Sequence, residues 1–257
     1  MSTLTELAEG LFSGSIEVID LTSKLSSDTP ILALPPEMGQ TAAFELEEIS
    51  KYDDRGPDWY WNNFRTGEHT GTHFDAPCHW ASNKDGLDIS EVPVQKMIGP
   101  AVVLDFCAQV AEDHDFLIEA DHIKAWIEEN GEIEPGSWLL IRTGWDAMTD
   151  TQERALNANE TGPHSPGLST DCATWVAENL PILGMGVETV GTDAGQAFAF
   201  DRPFPCHYEM SAANKWGITQ LQNLDKLPAR GAVVVALPLP IVKGSGSPAR
   251  VVALVQR

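Results

Sequence analysis

Three of the chain's seven histidines stand within eleven residues, in the run Glu68-His69-Thr70-Gly71-Thr72-His73-Phe74-Asp75-Ala76-Pro77-Cys78-His79-Trp80, with one aspartate among them. Imidazole and carboxylate at close spacing are donors that a divalent ion accepts, and a bound ion is a route to hydrolysis at neutral pH. His69, His73, Asp75 and His79 all occupy odd positions, and on an extended backbone odd positions share one face. A helix would bring His69 and His73 together at i, i+4, but Gly71, its flanking threonines and Pro77 argue against one. An extended segment ending at Pro77 therefore presents His69, His73 and Asp75 to one point. His79 lies beyond the proline and re-aimed, which suits a base rather than a ligand. A lone histidine is most often an ordinary hydrogen-bonded surface residue; three with an aspartate in this pattern are not.

Rings flank that segment. Pro57-Asp58-Trp59-Tyr60-Trp61-Asn62-Asn63-Phe64 precedes it and Trp80 follows it. Trp59 and Trp61 share a side of an extended chain, and Phe64 leads into the motif. For any one ring, core packing is an adequate explanation. The cluster beside a metal predicts a small, flat, neutral aromatic substrate held by stacking on Trp59, Trp61, Phe64 and Trp80.

The elements that must position these residues follow from apolar patterning. A helix opens the chain with Thr3-x-x-Glu6 as its capping box and Leu4, Leu7 and Leu11 on one face. Strands are expected at 16–21, 44–49, 101–106, 138–141, 182–190, 232–237 and 251–255. Helices are expected with Asp121 as N-cap and Asn130-Gly131 as stop, and again over 169–180 before Pro181. Irregular stretches remain at 22–42, 51–62, 81–99 and 143–168, lengths that mark functional loops or oligomer contacts. We find no repeat, linker or low-complexity tract. The reading is a mixed α/β fold, richer in strand than helix, with 1–257 as one domain.

At 257 residues a sizeable core is affordable, and 42% hydrophobic with 21% charged residues is a globular composition. The formal net charge of −22 repels phosphates and anionic membranes, so neither nucleic acid nor membrane is expected as a partner. Cys78, Cys107, Cys172 and Cys206 show no C-x-x-C spacing and read as reduced thiols. With no signal-peptide pattern and no apolar run long enough for a membrane span, the expected location is cytoplasmic.

The motif also carries a resemblance. His69-Thr-Gly-Thr-His73-Phe-Asp75-Ala-Pro77-Cys-His79 is similar to the H-x-G-T-H-x-D-x-P-x-H signature of the cyclase and bacterial kynurenine formamidase family. Gly191-Thr192-Asp193, Phe204-Pro205-Cys206-His207 and Asn223-Leu224-Asp225-Lys226-Leu227-Pro228 resemble its later G-x-D, F-P-x-H and N-L-D-x-L segments. The resemblance implies a swivelling β/β/α domain that forms a homodimer or higher homo-oligomer. It implies His69, His73 and Asp75 as metal ligands and His79 as acid/base, with His207 matching a histidine that helps hold a second metal in formamidases. One departure stands out. Where formamidases carry a further metal-binding glutamate, this chain has Thr219-Gln220-Leu221-Gln222. Neutral ligands offset a second dication poorly, so the expectation is one divalent metal per chain, with Gln220, Gln222 or Thr219 in the glutamate's place and Gln220 the expected fourth ligand. Oxygen-rich, amide-containing coordination favours manganese over zinc. Within the family the pattern is most similar to the isatin-hydrolysing branch, which implies opening of isatin's ring amide to isatinate by activated water, with His79 and His207 as the catalytic pair. The alternative is an arylformamidase cleaving N-formylkynurenine.

Other signals point away from competing chemistry. Gly184-Met-Gly-Val lacks the third glycine of a dinucleotide fingerprint, and no G-x-S-x-G elbow occurs. Gly244-Ser-Gly-Ser reads as a flexible turn before the last strand. Cys78 and Cys206 each precede a candidate histidine, but neighbours on a strand point apart.

Overall fold

The run Trp138-Leu139-Leu140-Ile141 has no polar alternation, the pattern of a strand covered on both faces. In the computed structural model, which describes residues 2–35 and 37–257, both covers are visible. Trp138 and Leu140 join one apolar cluster with Phe74, Ile218 and Val234. Leu139 and Ile141 join a second with Ile123, Val176 and Val187.

In chain order the elements are α1 (Thr3–Ser13), β1 (Ile16–Asp20), β2 (Glu45–Asp53), β3 (Gly56–Arg65), β4 (His73–Asp75), β5 (Ile98–Asp105), α2 (Cys107–Glu112), β6 (Leu117–Ile118), α3 (Ala120–Asn130), β7 (Ser137–Arg142), α4 (Gln152–Leu156), β8 (Gly167–Leu168), α5 (Thr170–Asn179), β9 (Ile182–Val187), α6 (Pro205–Ala212), β10 (Trp216–Thr219), β11 (Arg230–Pro238) and β12 (Gly246–Gln256). The main sheet has eight strands in the order β1-β12-β11-β5-β7-β9-β10-β4, and β4 also pairs with β12. That last pairing closes the sheet on itself around the first apolar cluster. β5, β7, β9 and β10 are parallel neighbours, and the crossovers between them carry α2 to α6. Residues of α3, α5 and α6 make the second cluster on the outer face.

β4 is short but doubly held. His73 lies opposite Thr219 of β10 and Pro248 of β12, and Asp75 lies opposite Gly217 and Gly246. The motif is therefore fixed by strands that follow it by more than 140 residues.

The mixed α/β expectation holds, with differences that have physical causes. Segment 51–62 is not a loop. It belongs to the β2–β3 hairpin, a separate two-stranded sheet. Its rings lie on both faces, so no simple alternation announces it. α1 is capped by Ser2, whose side chain accepts from the Thr5 amide, and Leu4 and Leu11 of its expected buried face are 78% and 40% exposed. α3 starts two residues earlier than expected, with Glu119 rather than Asp121 as N-cap and His122 completing the box. α5 falls within the helix expected over 169–180, with Ser169 as its N-cap.

Candidate active site

The motif forms its cluster through a turn rather than one continuous strand. Only 73–75 is extended, and Gly71 takes φ +67°, a left-handed conformation that glycine adopts at low cost. The turn folds His69 back so that its Nδ1 lies 2.8 Å from Asp75 Oδ1. His73 Nε2 is 3.4 Å from the same oxygen. His73 Nδ1 donates to the Gly71 carbonyl at 2.8 Å, which directs its Nε2 lone pair toward Asp75. Thr219 Oγ1 sits 2.9 Å from His73 Nδ1.

Asp75 is the hub. Its Oδ2 is buried with no hydrogen-bond partner, an anionic oxygen that a cation would satisfy. Burial pushes its pKa up, but the surrounding imidazoles of His69, His73 and His79 outweigh this and hold the carboxyl well below the usual range. Ligand atoms of His69, Asp75 and His79 all lie within 4.8 Å of one another, a set able to hold a metal ion. The donor chemistry and the orphaned oxygen thus fit a divalent ion.

A short 3-10 turn, Pro77–His79, swings His79 back over the cluster. Stacking fixes the ring, 3.9 Å from His69, with Trp80 at 5.7 Å and His207 at 5.6 Å. Burial lowers the His79 pKa to about 3, against the attraction of Asp75 and with repulsion from His69 and His207. Burial therefore favours the neutral imidazole at His79.

His207 enters at the start of α6. Its backbone amide and that of Cys206 donate to Asp193, at 3.1 and 2.6 Å, and its Nδ1 also pairs with Asp193. Burial disfavours charge on this ring, but Asp193 and then Asp75 outweigh it and raise its pKa. Trp80 stacks on His207 at 4.8 Å. Asp75, His79, Trp80, Thr192, His207 and Met210 line one cleft.

Five residues assigned from the sequence do not come to this cleft: Gln220, Gln222, Trp59, Trp61 and Phe64. Gln220 is fully buried, but its amide nitrogen donates to the Pro30 carbonyl, and it lines a different cavity with Thr29 and Asp146. The next residue after β10 turns away because Gln220 leaves the strand at φ +50°. Gln222 reaches Thr149 instead. Of the positions aligned with the missing glutamate, Thr219 is the one beside His73. Trp59, Trp61 and Phe64 are 47%, 53% and 61% exposed on the hairpin and are absent from the cleft lining; of the expected rings, Trp80 alone lines it.

Two participants went unnoticed in the sequence. Ser245 Oγ lies 2.9 Å from His69 Nε2, and Glu68 accepts from Ser245. Glu68 was adjacent to the motif, but nothing local links it to a serine 177 positions away.

The Cyclase family model matches residues 19–194. Isatin hydrolase of Roseibium aggregatum is 46% identical over 259 residues, covering 100% of this chain and 98% of the relative. Kynurenine formamidase of Bacillus mycoides is 28% identical over 187 residues, 72% of this chain and 75% of the relative. A crystal structure of an isatin hydrolase bound to the product analogue thioisatinate superposes with TM-score 0.97 at 46% identity, covering 100% of both chains. A match of this extent in sequence and fold places the chain in the cyclase family.

Proposed function

We propose that this protein is a metal-dependent hydrolase that opens the cyclic amide of isatin to isatinate. The observation that carries this reading is a cleft lined by Asp75, His79 and Trp80 in a chain 46% identical, end to end, to an isatin hydrolase. Trp80 offers a ring for a flat bicyclic substrate to stack on. An uncharged substrate also agrees with a protein of net charge −22.

A divalent ion at His69, His73 and Asp75 would polarise a carbonyl and bring the pKa of a water toward neutrality. His79, neutral and close to that set, takes the proton from the attacking water and returns it to the departing ring nitrogen as the C–N bond breaks. The new carboxylic acid then gives up its proton to solvent, so the products are a carboxylate and an aromatic amine on one ring, with one proton released. His207, held by Asp193, stands where it can donate a hydrogen bond to a substrate oxygen. Thr219 in the glutamate position leaves no added carboxylate for a second dication, which supports one metal per chain. The case for manganese rested on Gln220, whose amide is turned to Pro30; manganese and zinc are therefore the two ions to compare.

The same proposal includes a homo-oligomer, for which the exposed Trp59, Tyr60, Trp61 and Phe64 of the hairpin supply an apolar surface. It also includes a cytoplasmic location, supported by four unpaired cysteines. Among the described residues no helix is long and apolar enough to cross a membrane.

The test is loss of isatin absorbance with appearance of isatinate, using protein stripped by chelator and reloaded with manganese or zinc. Turnover that returns with metal is expected. No turnover of isatin, with cleavage of N-formylkynurenine instead, would replace this reading with the arylformamidase.

A further inference from the structure

The Gly244-Ser245-Gly246 turn is more than a flexible connection. It wraps the outer edge of the metal cluster. A Cβ on Gly246 would lie 2.6 Å from His69 Cε1, so glycine there lets β12 approach the imidazole closely. Between the two glycines, Ser245 donates twice to Glu68 Oε2, from its amide at 3.0 Å and from its hydroxyl at 2.6 Å. The hydroxyl proton is thereby directed to the carboxylate. Ser245 Oγ is left as an acceptor, and His69 Nε2 lies 2.9 Å from it. The ring can satisfy that contact only by carrying its proton on Nε2. Its other nitrogen then turns a lone pair to Asp75 Oδ1 at 2.8 Å. That nitrogen and the carboxylate oxygen then face the same point as two donors for a cation.

We propose that Glu68 and Ser245 form a positioning relay that holds His69 as its Nε2–H tautomer and so presents Nδ1 to the metal. The relay rests on the metal site described above. It assigns no part in bond making to either residue. Partners of this kind around a ligand histidine fix ring orientation and raise basicity, and their loss costs roughly 10–100-fold in metal affinity. Glu68→Gln is the sharper variant. An amide NH₂ in place of the carboxylate oxygen donates to Ser245 Oγ, sends the hydroxyl proton toward His69 Nε2, and selects the tautomer that cannot ligate through Nδ1.

The experiment is isothermal titration of Zn²⁺ and of Mn²⁺ into metal-stripped full-length parent, E68Q, S245A and E68Q/S245A. Each single change is expected to weaken binding by about 10–100-fold, and the double variant to be no weaker than the poorer single, because both cut one relay. Singles that bind as the parent does, or losses that multiply in the double variant, would overturn the relay. A parent that binds neither ion would overturn the metal site itself, which is a different outcome. Should S245A fail to fold by circular dichroism, long-range ¹H–¹⁵N spectra of histidine-labelled, Zn²⁺-loaded parent and E68Q still decide. The relay requires a proton on His69 Nε2 in the parent; a proton on Nδ1 there sinks it.

Discussion

The β2–β3 hairpin and the segment 68–80 follow one another in the chain and are both rich in rings, yet one stands in solvent and the other is buried. Among the described residues the hairpin forms a two-stranded sheet of its own, and Trp59, Tyr60, Trp61 and Phe64 remain about half exposed. Segment 68–80 has three residues paired on both sides, with β10 and β12, and these pull Phe74 to 0% exposure. The short turn at Pro77 then returns His79 and Trp80 over the same cleft. Position along the chain is a poor guide to shared chemistry; backbone pairing decides which rings meet the metal cluster.

The largest expected effect separates the two roles open to His79. In H79A, kcat should fall by about 10²–10⁴-fold with metal still bound, the range for losing a general acid or base. Loss of the metal instead, measured by titration, would make His79 a ligand and move the proton-carrying role elsewhere. Stability gives the next contrast. F74A removes a ring packed at 5.9 Å from Trp138 and 6.1 Å from Trp216 and should cost about 3–5 kcal/mol in denaturant unfolding. W61A on the hairpin should stay within about 0.5 kcal/mol. A large loss in W61A would show that the hairpin is buried in solution, against a second copy.

Glu188 lies outside both regions and tests whether buried charge behaves the same away from the imidazoles. One oxygen, Oε2, accepts from the Thr143 amide at 2.7 Å, the Thr143 hydroxyl at 3.0 Å and the Trp145 amide at 3.1 Å. Burial, only partly offset by these donors, pushes its pKa up from 4.5 to about 7, where Asp75 among its histidines goes the other way. The folded chain binds this proton more tightly than the unfolded chain does. Stability from Glu188 is therefore full below the ordinary value and is lost as pH rises through about 7. E188Q should remove a slope on the order of 3 kcal/mol across that window. Unfolding midpoints at about pH 5 and about pH 8 measure it, and an unchanged slope in the variant would place its origin in another group.

The smallest effect bears most directly on the substrate wall. W80A should raise KM for isatin about tenfold, equivalent to ~1.4 kcal/mol of lost stacking, with little change in kcat. W61A should leave both constants unaltered if a single chain builds the cleft. A matching rise in KM for W61A would mean that a partner's hairpin reaches the substrate, and would restore the aromatic wall first expected there.

Much of the site was legible because its information is local. His69, His73, Asp75 and His79 lie within one short segment, and their residue types limit the chemistry to metal binding and proton transfer. The apolar runs of β5, β7 and β9 were equally plain, since strands covered on both faces lose their polar alternation. Gln220 was misplaced because a single left-handed residue after β10 turns its side chain to Pro30, and no spacing rule anticipates that. The strand expected at 44–49 is the start of β2, but β3 was missed for the opposite reason: a two-stranded ribbon exposed on both faces has little buried side to impose a period.

The sequence by itself determined which candidate donors stand close together and which apolar runs become buried strands, because composition and short-range periodicity act within a few residues. Only the tertiary structure decided which donors meet. Closure of the sheet through β4 brings Thr219, Gly217, Ser245 and Gly246 against the motif from more than 140 residues away, and α6 adds His207 with Asp193 behind it. Those contacts depend on strand order and register, which are set by how the whole chain buries its apolar surface rather than by any one segment of it.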